Sequence, residues 1–239
     1  MTSDLFEYGP LYTKNTKRIG GIKMKKNLTE LVFILDRSGS MCGLEKDTIG
    51  GFNSLIKKQQ KEDGNAYVSA VLFDDNMNIL YDRVPIEKIK PMTERDYYVG
   101  GCTALLDAVG NTINHIGTIH KHIRKEDIPE KTLVIITTDG MENASRNFSY
   151  EKIKKMIEHQ KRRYHWEFIF LGENIDAADT AETIGIDREY AADYCADEQG
   201  TALNYEVLSN AISSMRKEKK IDRDWNERIK EDHRTRGRR

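Results

Sequence analysis

Leu31-Val-Phe-Ile-Leu-Asp36-Arg-Ser38-Gly-Ser40 decides how this chain is read. Leu31 to Leu35 is an apolar, partly β-branched run, the pattern of a buried strand. It ends in a carboxylate, followed by hydroxyls at alternate positions, and Gly39 lets the chain turn between them. In open α/β sheets, ligands bind beyond the carboxyl ends of the strands. Asp36, Ser38 and Ser40 would then offer three oxygens on one tight loop at that rim. Hard oxygen donors without a soft ligand suit magnesium or manganese. Taken alone, the loop reads equally well as a strand followed by an Asx or Ser turn.

Two later stretches bear on that choice. Gly100-Gly101-Cys102-Thr103-Ala104-Leu105-Leu106-Asp107 brings a double glycine up to a threonine at an expected helix start. By itself Thr103 reads as an N-cap. Thr132-Leu-Val-Ile-Ile-Thr-Thr138-Asp139-Gly140-Met141-Glu142-Asn143 runs a second apolar strand into Asp-Gly, by itself an ordinary turn.

In this order and at these separations, the three stretches resemble the von Willebrand factor type A (vWA) domain with its metal-ion-dependent adhesion site. The pattern D-x-S-x-S falls on Asp36, Ser38 and Ser40, its threonine on Thr103 and its second aspartate on Asp139. The resemblance runs from about Lys26 to Met215. It points to bacterial, intracellular-style members with a short Asp-Gly-x-Glu-Asn third loop. It implies a doubly wound, Rossmann-like, mostly parallel α/β sheet of six strands with one antiparallel edge strand and helices on both faces. It implies Mg²⁺, or Mn²⁺, held by Asp36, Ser38, Ser40, Thr103 and Asp139. In the family both serine hydroxyls bind the metal directly. The threonine and second aspartate bind directly or through water, and their shift between the two would couple ligand binding to movement of the last helix.

Hydroxyls do not cancel the ion's charge; if Asp36 and Asp139 act mainly through water, the ion stays electrophilic and would favour an Asp or Glu carboxylate from a protein partner. That is binding rather than catalysis, and no enzyme activity is expected. A competing reading makes Asp36 the nucleophile of a magnesium-dependent phosphoryl-transfer enzyme of the haloacid dehalogenase type. That pattern wants D-x-D, and Ser38 stands where its second carboxylate should be. A scaffold with a vestigial metal loop is the third reading.

Composition bounds the rest. The 239 residues suit one domain, with 1–25 as an N-terminal extension, 26–215 as the vWA domain and 216–239 as a charged helix or tail. Residues 1–26 carry six Lys/Arg against two Asp/Glu, residues 27–215 carry 21 against 31, and residues 216–239 carry eleven against six. An acidic body thus lies between basic ends. Nucleic acid is not an expected partner except through those ends. No apolar run can span a bilayer, and no secretory pattern follows the basic start. With three cysteines and no CxxC, a reduced, cytoplasmic protein is expected. Cys42 and Cys102 each adjoin a metal loop and read as small residues at a loop base, with a redox pair as the sharper alternative. There is no G-x-G-x-x-G or P-loop pattern.

Periodicity predicts strands over 29–35, 66–73, 77–84, 133–137, 166–171 and 190–194. It predicts helices over 45–62, 104–122, 150–163, 174–184 and 201–215. Gly50 and Gly51 are expected to pack against the sheet and Ser149 and Asn174 to cap helices, while Tyr97 and Tyr98 read equally well as lining the metal rim or as simple packing. Ile221, Trp225 and Ile229 recur every four residues, predicting a further helix with a narrow apolar stripe.

Overall fold

The computed structural model describes residues 27–173, 175–218 and 220–236. The N-terminal extension therefore falls outside the described residues.

Strand β1 (Leu28–Asp36) lies at the middle of the sheet and is buried along its whole length. Its side chains alternate between two cores, as a period of two requires. Leu31, Phe33 and Leu35 join one cluster with helices α1 (Glu45–Gln59) and α5 (Glu198–Glu218). Val32 and Ile34 join the other with α2 (Leu105–His122), α3 (Tyr150–Tyr164) and α4 (Ala177–Thr183). An apolar run with no polar alternation marks a strand covered on both faces.

The strands β2 (Asn65–Phe73), β3 (Met77–Pro85), β4 (Lys131–Thr138), β5 (Glu167–Gly172) and β6 (Ala191–Asp193) complete one sheet in the order β3-β2-β1-β4-β5-β6. Only β3 is antiparallel, hairpinned to β2 at the edge. The fold class expected from the sequence is the one observed. Strand order reverses at β1, which pairs in parallel with β2 on one side and β4 on the other. The crevice between the ends of β1 and β4 is therefore the topological switch point, where such sheets bind ligands. Among the described residues, no helix is long and apolar enough to cross a membrane.

Several local expectations change. Gly51 is pressed against the ring of Tyr205 on α5, where a Cβ would come within 2.1 Å, rather than against the sheet; Gly50 faces open space. Helix α4 is capped by Asp176, whose side chain accepts from the Asp179 N–H; Asn174 lies outside the described residues. Ser149 caps α3 as expected. Ile221, Trp225 and Ile229 all reach the first core cluster, but the helix α6 begins only at Glu227. Trp225 precedes it and donates through its indole N–H to Glu189 O at 3.0 Å. His115, His120 and His122 bond separately to Asp82, Glu30 and Thr118 O.

Arg216 fastens α5 to the end of α1. Its guanidinium donates to the carbonyls of Gln59 (2.6 Å), Glu62 (3.3 Å), Asp63 (3.3 Å) and Gly64 (3.0 Å). This one side chain thus ties the last residue of α1 and the turn at 62–64 to α5. Charge-assisted bonds each contribute about 1.5–3 kcal/mol and do not add simply. Arg216→Ala is expected to lower stability by about 2–3 kcal/mol in urea unfolding. Arg216→Lys should recover only part of it, because an ammonium cannot reproduce the planar fork.

Candidate metal centre

Three loops meet at the switch point. The first leaves β1 at Asp36, the second approaches α2 through Gly100–Ala104, and the third leaves β4 at Thr138. Backbone bonds tie them together: Gly39 N to Gly101 O (3.0 Å), Gly100 N to Arg37 O (3.0 Å), and Asn143 N to Thr103 O (3.1 Å), while Arg37 N to Phe73 O (2.8 Å) holds the first loop to the end of β2.

The side chains converge as well. The Thr103 hydroxyl donates to Ser38 Oγ at 3.0 Å, and Ser38 Oγ lies 3.1 Å from Ser40 Oγ. Ser40 donates to Asp139 Oδ1 at 2.6 Å. Ser40 spends its single proton on Asp139, so Ser38 is the donor between the two serines. The result is a one-way chain from Thr103 through Ser38 and Ser40 to Asp139. Asp36 is anchored separately: Oδ1 accepts from Ser38 N at 2.7 Å and Oδ2 from the Thr138 hydroxyl at 2.6 Å. All five residues named from the sequence are thus joined in one hydrogen-bonded cluster, Asp36 by way of the Ser38 backbone. Thr103 is not a helix cap: Ala104 holds that position without a side-chain cap.

Ser40 is exposed, whereas Asp36, Ser38, Thr103 and Asp139 are buried. The cluster therefore opens to solvent at Ser40. Gly140 flanks it closely; a Cβ there would lie 3.2 Å from Ser40 Oγ and 3.3 Å from Thr103 Oγ1. Burial pushes the Asp36 carboxyl up to about 6, against the lowering effect of its bonds to Thr138 and Ser38. Burial likewise raises Asp139. Two carboxylates and three hydroxyls make a hard, mostly neutral oxygen set, chemically suited to a cation of the magnesium or manganese kind. Among the described residues, no three His, Cys, Asp or Glu side chains form a metal cluster.

Supporting residues that were not picked out from sequence carry much of the geometry. Glu142 accepts from Leu106 N (2.9 Å), Ala144 N (2.9 Å), Ser145 N (2.7 Å) and the Ser145 hydroxyl (2.8 Å). It thereby fixes the third loop to the first turn of α2. Asp107 accepts from the backbone N–H groups of Arg146 (2.9 Å), Asn147 (2.9 Å) and Phe148 (3.0 Å). Burial opposes ionisation of Asp107, but these bonds hold it below the usual carboxylate range. Asn143 Oδ1 accepts from Thr103 N at 2.9 Å, returning the backbone bond between the same residues. The Asp-Gly-x-Glu-Asn spacing was the available signal for Glu142 and Asn143.

Tyr97 and Tyr98 divide between inside and outside. Tyr97 is buried and donates to Asp36 O at 2.5 Å. Tyr98 is exposed, with the Arg37 guanidinium 4.4 Å over its ring, and Arg37 also pairs with Asp74 at 2.9 Å. Cys42 and Cys102 are exposed free thiols. The Cys102 thiol is pushed up by the neighbouring Asp75 carboxylate.

No family model matches the sequence, and no curated protein matches it. Solved structures do match. Proximal thread matrix protein 1 from the mussel byssus, with a zinc-occupied metal-ion-dependent adhesion site, superposes with a TM-score of 0.54 at 16% identity, over 77% of this chain and 46% of that one. The von Willebrand factor type A protein from Catenulispora acidiphila gives 0.52 at 13% identity, over 78% and 42%. The vWF domain of the pilus tip protein Mfa5 from Porphyromonas gingivalis gives 0.54 at 11% identity, over 77% and 94%. The chain spans less than half the length of the mussel and Catenulispora proteins. At these identities the likeness is one of fold, and the fold of this chain is that of the von Willebrand factor type A domain.

Proposed function

We propose that this protein is a divalent-metal-dependent protein-interaction module, and that Asp36, Ser38, Ser40, Thr103 and Asp139 hold Mg²⁺ or Mn²⁺. The observation that carries the reading is the hydroxyl chain from Thr103 to Asp139, with Asp36 anchored beneath it. Once its proton is handed on, each hydroxyl keeps a lone pair free for a cation. The ion would supply an electrophilic centre for the carboxylate of an Asp or Glu on a protein partner. Asp36 and Thr138 would hold the serine loop in place, and Glu142 would hold the third loop against α2. With its three cysteines free, a reducing, cytoplasmic setting belongs to the same proposal.

Binding is favoured over phosphoryl transfer. A phosphoryl-transfer site of the D-x-D kind would need a second carboxylate where this chain has the buried hydroxyl of Ser38, which is bonded instead to Thr103 and Ser40.

Titration with Mg²⁺ or Mn²⁺ should raise the melting temperature saturably. A ligand at a hundredfold excess over its dissociation constant adds about 2.7 kcal/mol, or roughly 5–10 °C for a chain of this size. The Ser38→Ala/Ser40→Ala variant should show no shift; an equal shift in both proteins would move the metal elsewhere.

The metal-free protein carries a second signature. The folded-state Asp36 is raised from 3.8 to about 6, so folding favours its protonated form. That contribution is fully present below the unfolded value and is lost as pH rises through about 6. In chelator, raising the pH from about 4 to 7 should therefore destabilise wild type relative to Asp36→Asn by about 2–3 kcal/mol. Denaturant unfolding at the two pH values measures it.

A further inference from the structure

Helix α3 is charged against the trend of the body. Between Tyr150 and Tyr164 it carries six Lys/Arg and two Asp/Glu. Taken from the 21 and 31 of residues 27–215, that leaves 15 Lys/Arg against 29 Asp/Glu in the rest of the body. The cations are also sorted round the helix. Lys152, Lys155, His159 and Arg162 recur at spacings of three, four and three, and Arg163 lies beside the last of them. Residues so spaced share one face of a helix. Both acids, Glu151 and Glu158, fall to one side of that face.

The stripe faces solvent. Lys152, Lys155, Arg162 and Arg163 are exposed. Lys155 pairs with Glu151 at 2.6 Å, but both are on the surface, and such a pair opens at little cost. Lys121 of α2 joins the stripe. After burial, it is the charges of Arg162, Lys121 and Arg163 that hold the His159 imidazole below its ordinary value. Both helices start at the metal loops and run back along the sheet, so Lys121, Arg162 and Arg163 gather at the end away from the metal. Tyr164 stands at the same place, 46% exposed, its ring edge-on to that of His159 at 5.7 Å.

From Lys152 to Arg163 the row of cations runs roughly 17 Å along the helix axis, with an open aromatic ring at its far end. A membrane surface would call for a row of exposed apolar side chains; the large hydrophobic side chains that α3 exposes are Tyr150 and Tyr164, at its two ends. An acidic protein matches the charges and gives the ring no planar partner. Single-stranded nucleic acid matches both, because its phosphates track a basic groove and every base offers a π-face to an aromatic side chain.

We propose that this face of α2 and α3 binds single-stranded nucleic acid, its phosphates lying along Lys152, Lys155, Arg162, Arg163 and Lys121 and a base stacking on Tyr164. Fluorescence anisotropy of a labelled single-stranded oligonucleotide titrated with the full chain tests it. Wild type should bind, with affinity falling steeply as salt rises. Arg162→Ala/Arg163→Ala should weaken binding about tenfold and reduce the log–log salt slope by about 1.4, two phosphate contacts being lost. Tyr164→Ala should weaken binding about tenfold and leave the slope unchanged. Equal urea midpoints of variants and wild type show that folding is retained. Ser38→Ala/Ser40→Ala should bind as wild type does, since the face is separate from the proposed metal site. Absence of binding by wild type overturns the proposal. So does equal binding by the arginine variant, which would assign the oligonucleotide to the basic ends of the chain. A duplex bound as tightly as the single strand overturns single-strand recognition. Displacement of the oligonucleotide by polyglutamate at equal charge concentration gives the face to an acidic protein instead.

Discussion

The parallel pairing of β1 with both of its neighbours is the constraint on which the site depends. Leu35 lies opposite Leu72 on one side and Thr137 on the other. This register brings the ends of β1 and β4 level. Asp36 can then reach the Thr138 hydroxyl, and Ser40 can reach Asp139. A slip of one residue would turn every side chain of β1 to the opposite face and would carry Asp36 away from Thr138. The two separate cores, one on each face of β1, enforce that register.

Around this alignment the loops are held by polar groups rather than by packing. Glu142, Asp107 and Asn143 each accept from backbone N–H groups of a neighbouring segment. Loops of this kind keep function at the surface while a rigid sheet positions them. The arrangement also separates tasks. The hydroxyl chain reaches the opening at Ser40, while the carboxylates of Glu142 and Asp107 are turned to backbone N–H groups.

Much of this could be read from residue order. The apolar runs announced buried strands, the resemblance implied a sheet with helices on both faces, and D-x-S-x-S with Thr103 and Asp139 singled out the residues that converge. The supporting shell was less legible, because Asp107 and Glu142 look like ordinary helix-start and turn acids until their partners some 40 residues away are known. Thr103 fitted a helix cap locally, and only its contact with Ser38, 65 positions away, turns it toward the metal loop. Helix ends were displaced for a similar reason. Trp225 has the right spacing for a helical stripe, but its indole N–H is taken by Glu189 O before the helix starts.

The Arg216 clamp has a mechanical consequence. An axial slide of α5 would draw the guanidinium away from four carbonyls, that of Gln59 at the end of α1 and those of Glu62, Asp63 and Gly64 in the turn beyond it. Tyr205 pressed against Gly51 resists the same slide further along the pair. Arg216 and Tyr205 therefore join the two helices at two separate points along their length. Any displacement of α1 must then involve α5, the helix against which α6 packs.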